Sequence, residues 1–237
     1  MSVIVLSHEL DKLGTVMNII QDSVTFAFRG GGKYTLLIGA VLGLVAELVS
    51  LAPLIGFIAY VFLFGYFCSI YFSIIESSAS GNDEAPEYPE ATNIVSDILW
   101  PALQVVGVLI VCLAPVLLYE GFVDEGKEFS LLGQILMLGG IAYFPMAMLA
   151  VVLLNSMTAM SPNLVIPSIW RAGALYWLAV LLLIGLYYFE SVLMGIFGGV
   201  FILSTVISCF LGMYVLMTNA RIIGLLFRER QEEINWF

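Results

Sequence analysis

The stretch "YTLLIGAVLGLVAELVSLAPLIGFIAYVFLFGYFCSIYFSII" runs from Tyr34 to Ile75 and holds one charged residue, Glu47. As a single helix it would be roughly 60 Å long at 1.5 Å per residue, about twice the hydrocarbon core of a bilayer. It therefore reads as two spans. The break falls in "SLAPLIG" (Ser50 to Gly56), because Pro53 lacks a backbone donor and disfavours helix at Ala52. The pattern predicts span one over 34–52 and span two over 54–75, an antiparallel hairpin with a short turn.

The rest of the chain has the same character. Of 237 residues, 61% are hydrophobic and 11% charged, with mean hydropathy +1.04. A soluble domain carries roughly 25% charged residues. The deficit is too large to hide in a core, since a globule must cover its surface with polar atoms. Further apolar runs predict span three over 101–119, started by Thr92 or Asn93 as cap. Span four is expected over 131–154 with a kink at Pro145, span five over 172–189, a turn at Glu190 and Ser191, and span six over 192–218. A short interfacial helix is expected ahead of span five.

Both ends read as amphipathic. In 8–29, Leu10, Leu13, Met17, Ile20, Val24 and Phe28 recur every three or four residues among Asp11, Lys12, Asn18, Gln21 and Asp22. "VIVL" at Val3 to Leu6 is too short for a signal-peptide core, so the N-terminus is expected to be retained. The tail carries Ile222, Ile223, Leu226 and Phe227 as an apolar stripe beside three arginines, with Trp236 and Phe237 suited to the interface. The expected fold is an all-α membrane protein: a six-transmembrane helical bundle with interfacial amphipathic helices at both termini. It divides into a cytoplasmic segment 1–33, a transmembrane domain 34–218 and a cytoplasmic tail 219–237.

Seven of the eight basic residues (Lys12, Arg29, Lys33, Arg171, Arg221, Arg228 and Arg230) fall on one side of such a bundle, and only Lys127 on the other. This bias predicts cytoplasmic termini in a bacterial-type inner membrane. The net charge of −10 argues against nucleic acid as a partner.

Charges inside spans are costly and are functional suspects. Glu47 reads either as a proton or cation ligand, or as an acid hydrogen-bonded to a neighbouring helix; the second is preferred. Ser50, Gln104, Asn155, Thr158 and Ser204 complete the sparse polar set, with Gln104 and Asn155 read as interhelical hydrogen-bond donors. His8 is the sole histidine. Cys68, Cys112 and Cys209 are scattered in apolar runs, so neither residue type suggests a metal site, and no cofactor is expected. "GGGK" (Gly30 to Lys33) lacks the second half of a phosphate loop. Gly39 with Gly43, and Gly195 with Gly199, are Gly-x-x-x-Gly pairs. They read as packing faces inside the bundle in preference to a dimer face.

Between spans two and three lies "ESSASGNDEAPEYPEATN" (Glu76 to Asn93), with five carboxylates, two prolines and no cation. Asp83, Glu84, Glu87 and Glu90 could form a divalent-cation site, though their spacing matches no calcium loop. They could form a docking strip for a basic partner. The preferred reading is a solvated connector stiffened by proline.

The order of these features is similar to a family of bacterial and archaeal polytopic membrane proteins known only as a domain of unknown function. The likeness rests on Gly65-Tyr66 near the end of span two, the acidic Gly81-to-Pro89 loop, and the tail "NARIIGLLFRERQEEINWF". It implies fold and topology and no mechanism. Members often carry basic residues just after the Gly-Tyr, where this chain is uncharged. The functional reading is a non-catalytic scaffold or accessory subunit, partnered by the lipid bilayer and by another membrane protein or a second copy. The alternatives are a small transporter or channel using Glu47, and a membrane enzyme acting on lipid.

Overall fold

The computed structural model describes residues 2–50, 52–86, 93–122, 130–197 and 201–236. These form eight α-helices and no strand among the described residues: α1 (Ser2–Phe26), α2 (Gly32–Val49), α3 (Pro53–Ala79), α4 (Trp100–Phe122), α5 (Leu131–Leu153), α6 (Pro162–Ala172), α7 (Ala174–Phe197) and α8 (Phe201–Ile234). Six are long and apolar enough to cross a bilayer: α2, α3, α4 with the π-helical turn Val95–Leu99 before it, α5, α7 and α8. The chain is a multi-pass helical membrane protein.

Local chemistry sets the breaks. Ala52 is extended (φ −102°, ψ 104°) and Pro53 opens α3, where its missing N–H costs nothing. Asn93 starts the next span. Its side-chain oxygen accepts from the Val95 N–H at 3.0 Å, and its own N–H donates to Asp97 at 2.8 Å. Ser130 caps α5 by accepting from the Gly133 N–H at 3.1 Å. Inside α5, Pro145 cannot bond the carbonyl four residues back; beside that gap, the Ala142 carbonyl accepts from the Tyr176 hydroxyl of α7.

The hairpin of the last two spans differs from the sequence expectation. There is no turn at Glu190 and Ser191. Instead α7 continues through them to Phe197, and α8 begins at Phe201. A lone glutamate does not break a helix, because every backbone bond around it survives; Gly198 and Gly199 lie between the two helices. Nor does a new element begin after residue 218, since α8 passes through it to Ile234. At 34 residues α8 is roughly 51 Å long, well beyond an apolar core of about 30 Å.

The core gathers on α8, which packs against α1, α2, α3 and α7; α4 and α5 form a second pair joined to it through α3 and α5. In the apolar stretch of α8, 56% of residues are buried, against 11% in α7. The α3–α8 contact is close because Gly224 has no side chain. A Cβ there would stand 2.4 Å from the Ser78 Cβ and 2.8 Å from the Ile75 carbonyl. Trp236 donates to Ser168 of α6 at 2.9 Å and stacks on Phe227, which ties the end of the described chain to the bundle.

Candidate functional site

The most concentrated polar chemistry lies around Arg221 of α8, whose side chain is fully buried. A buried guanidinium must satisfy five N–H donors; here it makes four hydrogen bonds and one further close ion-pair contact. Nε donates to Asp22 at 2.8 Å. Nη1 donates to the Ser78 hydroxyl at 3.1 Å and to the Asn82 carbonyl at 2.5 Å. Nη2 donates to Asp83 at 2.9 Å and lies 2.7 Å from Asp22. The Phe26 ring lies 4.8 Å from the guanidinium carbon. Arg29 pairs with the far side of Asp22, and Arg228 reaches Asp83 at 3.0 Å. The result is an alternating series, Arg29–Asp22–Arg221–Asp83–Arg228, across α1, α8 and the loop after α3. Hydrogen bonds from Arg221 and Arg228 hold the Asp83 carboxyl below its ordinary range. With all three guanidinium nitrogens engaged inside the chain, Arg221 is committed to the fold. The arrangement is a knot that fastens one end of the bundle.

The knot locates the acidic residues. Asp83 is exposed and paired with two arginines. Glu84 is exposed, its carboxyl about 3.8 Å from where a Cβ on Gly30 would stand. Glu87 and Glu90 lie outside the described residues, as do Gly199, Lys127 and the His8 side chain. Among the described residues no group of three or more His, Cys, Asp or Glu side chains is arranged to hold a metal ion.

The spans' own polar residues are dispersed. Glu47 is exposed on α2 and accepts a hydrogen bond from Tyr60 of α3 at 2.7 Å. The pair lines a cleft of about 300 Å³ with Phe64, Cys209 and Met213. Ser50 spends its hydroxyl on the Glu47 carbonyl at 2.7 Å. Gln104 is buried in α4 with no partner for its amide nitrogen among the described residues. Asn155 is exposed, just past the end of α5, with φ 44°. Asparagine tolerates that left-handed geometry, so its place is a helix terminus. Thr158 is paired with Ser156 at 2.9 Å, and Ser204 lies on α8. Glu47, Gln104 and Asn155 share no hydrogen bond, and the structure does not join them into one path.

The glycine pairs divide. A Cβ on Gly39 would stand 2.6 Å from the Met213 sulfur, and one on Gly43 would stand 3.3 Å from the Cys209 sulfur, so both face α8. Gly195 lies on α7, not on the last span, and a Cβ there would meet nothing within 4 Å.

One polar thread escaped the sequence reading. The Tyr71 hydroxyl donates to Asn219 Oδ1 at 2.7 Å, and Asn219 Nδ2 donates to the Tyr187 hydroxyl at 3.3 Å. Glu190 lies one turn beyond Tyr187 on α7. Asn219 reads as the first residue of a tail, and Glu190 as part of a turn, only if the last hairpin is misplaced by one helical turn or more. The usable signal was the uninterrupted helical pattern through 190 and 219. No family model, curated protein or solved structure matches the chain.

Proposed function

We propose that the protein is a non-catalytic scaffold or accessory subunit of a membrane assembly, seated in a bacterial-type inner membrane with both ends of the bundle's chain on the cytoplasmic side. The resemblance to polytopic proteins of unknown function supports the topology only. The observation that carries the reading is how the bundle's polar groups are spent. Arg221, Asn219, Tyr71, Tyr176 and Ser168 are all bonded to other segments of the same chain. Meanwhile α7, the least buried span, turns outward an aromatic and aliphatic stripe at Trp177, Leu181, Tyr188, Val192 and Ile196. Such a stripe fits a neighbouring span, from another membrane protein or a second copy. The test is affinity purification from native membranes in mild detergent, with mass spectrometry and native sizing. A stoichiometric partner or dimer is expected, lost on Trp177→Ala with Tyr188→Ala. A lone monomer overturns the reading.

A second reading, transport, has one observation in its favour: the Glu47–Tyr60 pair in its 300 Å³ cleft. It requires that Glu47→Gln abolish an ion or solute flux in proteoliposomes while the protein still folds.

A further inference from the structure

We propose that the cleft around Tyr187 binds a membrane-soluble planar ring bearing carbonyl acceptors and a hydrocarbon tail, the chemistry of a prenylated quinone. This goes beyond the scaffold reading and does not depend on it.

Two apolar hollows, of about 350 and 410 Å³, meet at Asn219, Tyr187 and Phe144. Each falls within the roughly 300–1,000 Å³ typical of small-molecule sites. The first is walled by five aromatic side chains, Phe64, Phe67, Tyr71, Phe144 and Tyr187. Flat rings favour such walls, through offset or edge contacts. The second is aliphatic, lined by Leu109, Leu113, Ile141 and Ile184, all exposed at the surface of the spans. It therefore opens sideways into hydrocarbon, as a tail requires.

The floor supplies one directed hydrogen bond. Asn219 is buried, and both ends of its amide are engaged, by Tyr71 and by Tyr187. The Tyr187 hydroxyl receives the Asn219 N–H, so its own proton remains to be donated. The thread fixes that hydroxyl and leaves its proton as a donor at the wall of an aromatic hollow. A ring carbonyl matches it. The nearest charged group is Glu190, which lines the same hollow and has no ion-pair partner among the described residues. It would favour a cationic amphiphile instead. Bringing an ammonium group to this depth is costly, whereas an uncharged ring already resides in the hydrocarbon.

The experiment uses the full chain in lipid nanodiscs, with decylubiquinone as probe and its quenching of tryptophan fluorescence as readout. Decylamine serves as the competing cationic probe. Saturable binding is expected at one quinone per chain. Tyr187→Phe keeps the ring and removes the proton, and should weaken binding about five- to tenfold, the worth of one hydrogen bond. Tyr34→Phe, on α2 and lining neither hollow, should bind as the wild type does. The proposal is overturned by non-saturable quenching, by equal affinity in Tyr187→Phe, or by tighter binding of decylamine that is lost in Glu190→Gln.

Discussion

Arg221 is the residue on which one end of this bundle depends. Its charge is tolerable in a buried position only because four acceptors, two of them carboxylates, surround it. Removing it leaves Asp22 to Arg29 and Asp83 to Arg228 and takes away the hydrogen bonds that join the two pairs. Arg221→Ala should therefore cost about 1.5–3 kcal/mol, the usual worth of hydrogen bonds to charged groups. The denaturation midpoint in detergent micelles measures this. Arg221→Lys keeps the charge but offers three donors where four hydrogen bonds are made, and without the planar fork, so it should recover only part of the loss. Asp83 adds a pH signature. Its folded-state carboxyl titrates below its ordinary value, so its stabilisation is present at neutral pH and is lost as pH falls through that lowered value. The thermal midpoint should hold between pH 7 and 5 and drop below about pH 4. In Asp83→Asn the neutral-pH midpoint should be lower and the acid drop smaller.

At the scale of the element, the α3–α8 contact is the closest test of packing. Gly224→Leu forces a side chain into the Ser78 and Ile75 backbone and should destabilise by at least the 1–3 kcal/mol of roughly typical overpacking. Gly195→Leu meets open space and should leave the thermal midpoint and the gel-filtration profile unchanged. The same elements show what could be read beforehand. The α2–α3 hairpin was legible because proline removes a donor and restricts its predecessor, which are local facts. So was the start of the third span at Asn93. The α7–α8 hairpin was not, because a solitary carboxylate in an apolar run marks a boundary only by association with water. The helix absorbed Glu190 and runs on to Phe197. That shift hid both Asn219 and Arg221, which read as surface residues of a tail and lie in the packed part of α8. The acidic loop was legible as polar but not as a partner of Arg221: 138 residues separate Asp83 from Arg221 along the chain, and no local pattern signals that pairing.

For the whole molecule, six spans require that α1 and the end of α8 share one side, as the knot between Asp22 and Arg221 also demands. Single cysteines placed at Ser130 and at Glu233, in a background lacking Cys68, Cys112 and Cys209, should be labelled by an impermeant maleimide from opposite faces of sealed vesicles. Labelling of both from one face would refute the topology. The knot has a further meaning in time. Asp22, Ser78 and Asp83 are synthesised with the first two spans, but Arg221 emerges 138 residues after Asp83. At about 5–20 residues per second this is a delay on the order of ten seconds. Through that interval Asp22 has only Arg29 beside it, Asp83 has neither of its arginines, and the early helices lack the element around which they pack. Insertion of α8 is thus the step that closes this bundle, and a chain stalled before it leaves Asp83 without its arginines and the early helices without their packing partner.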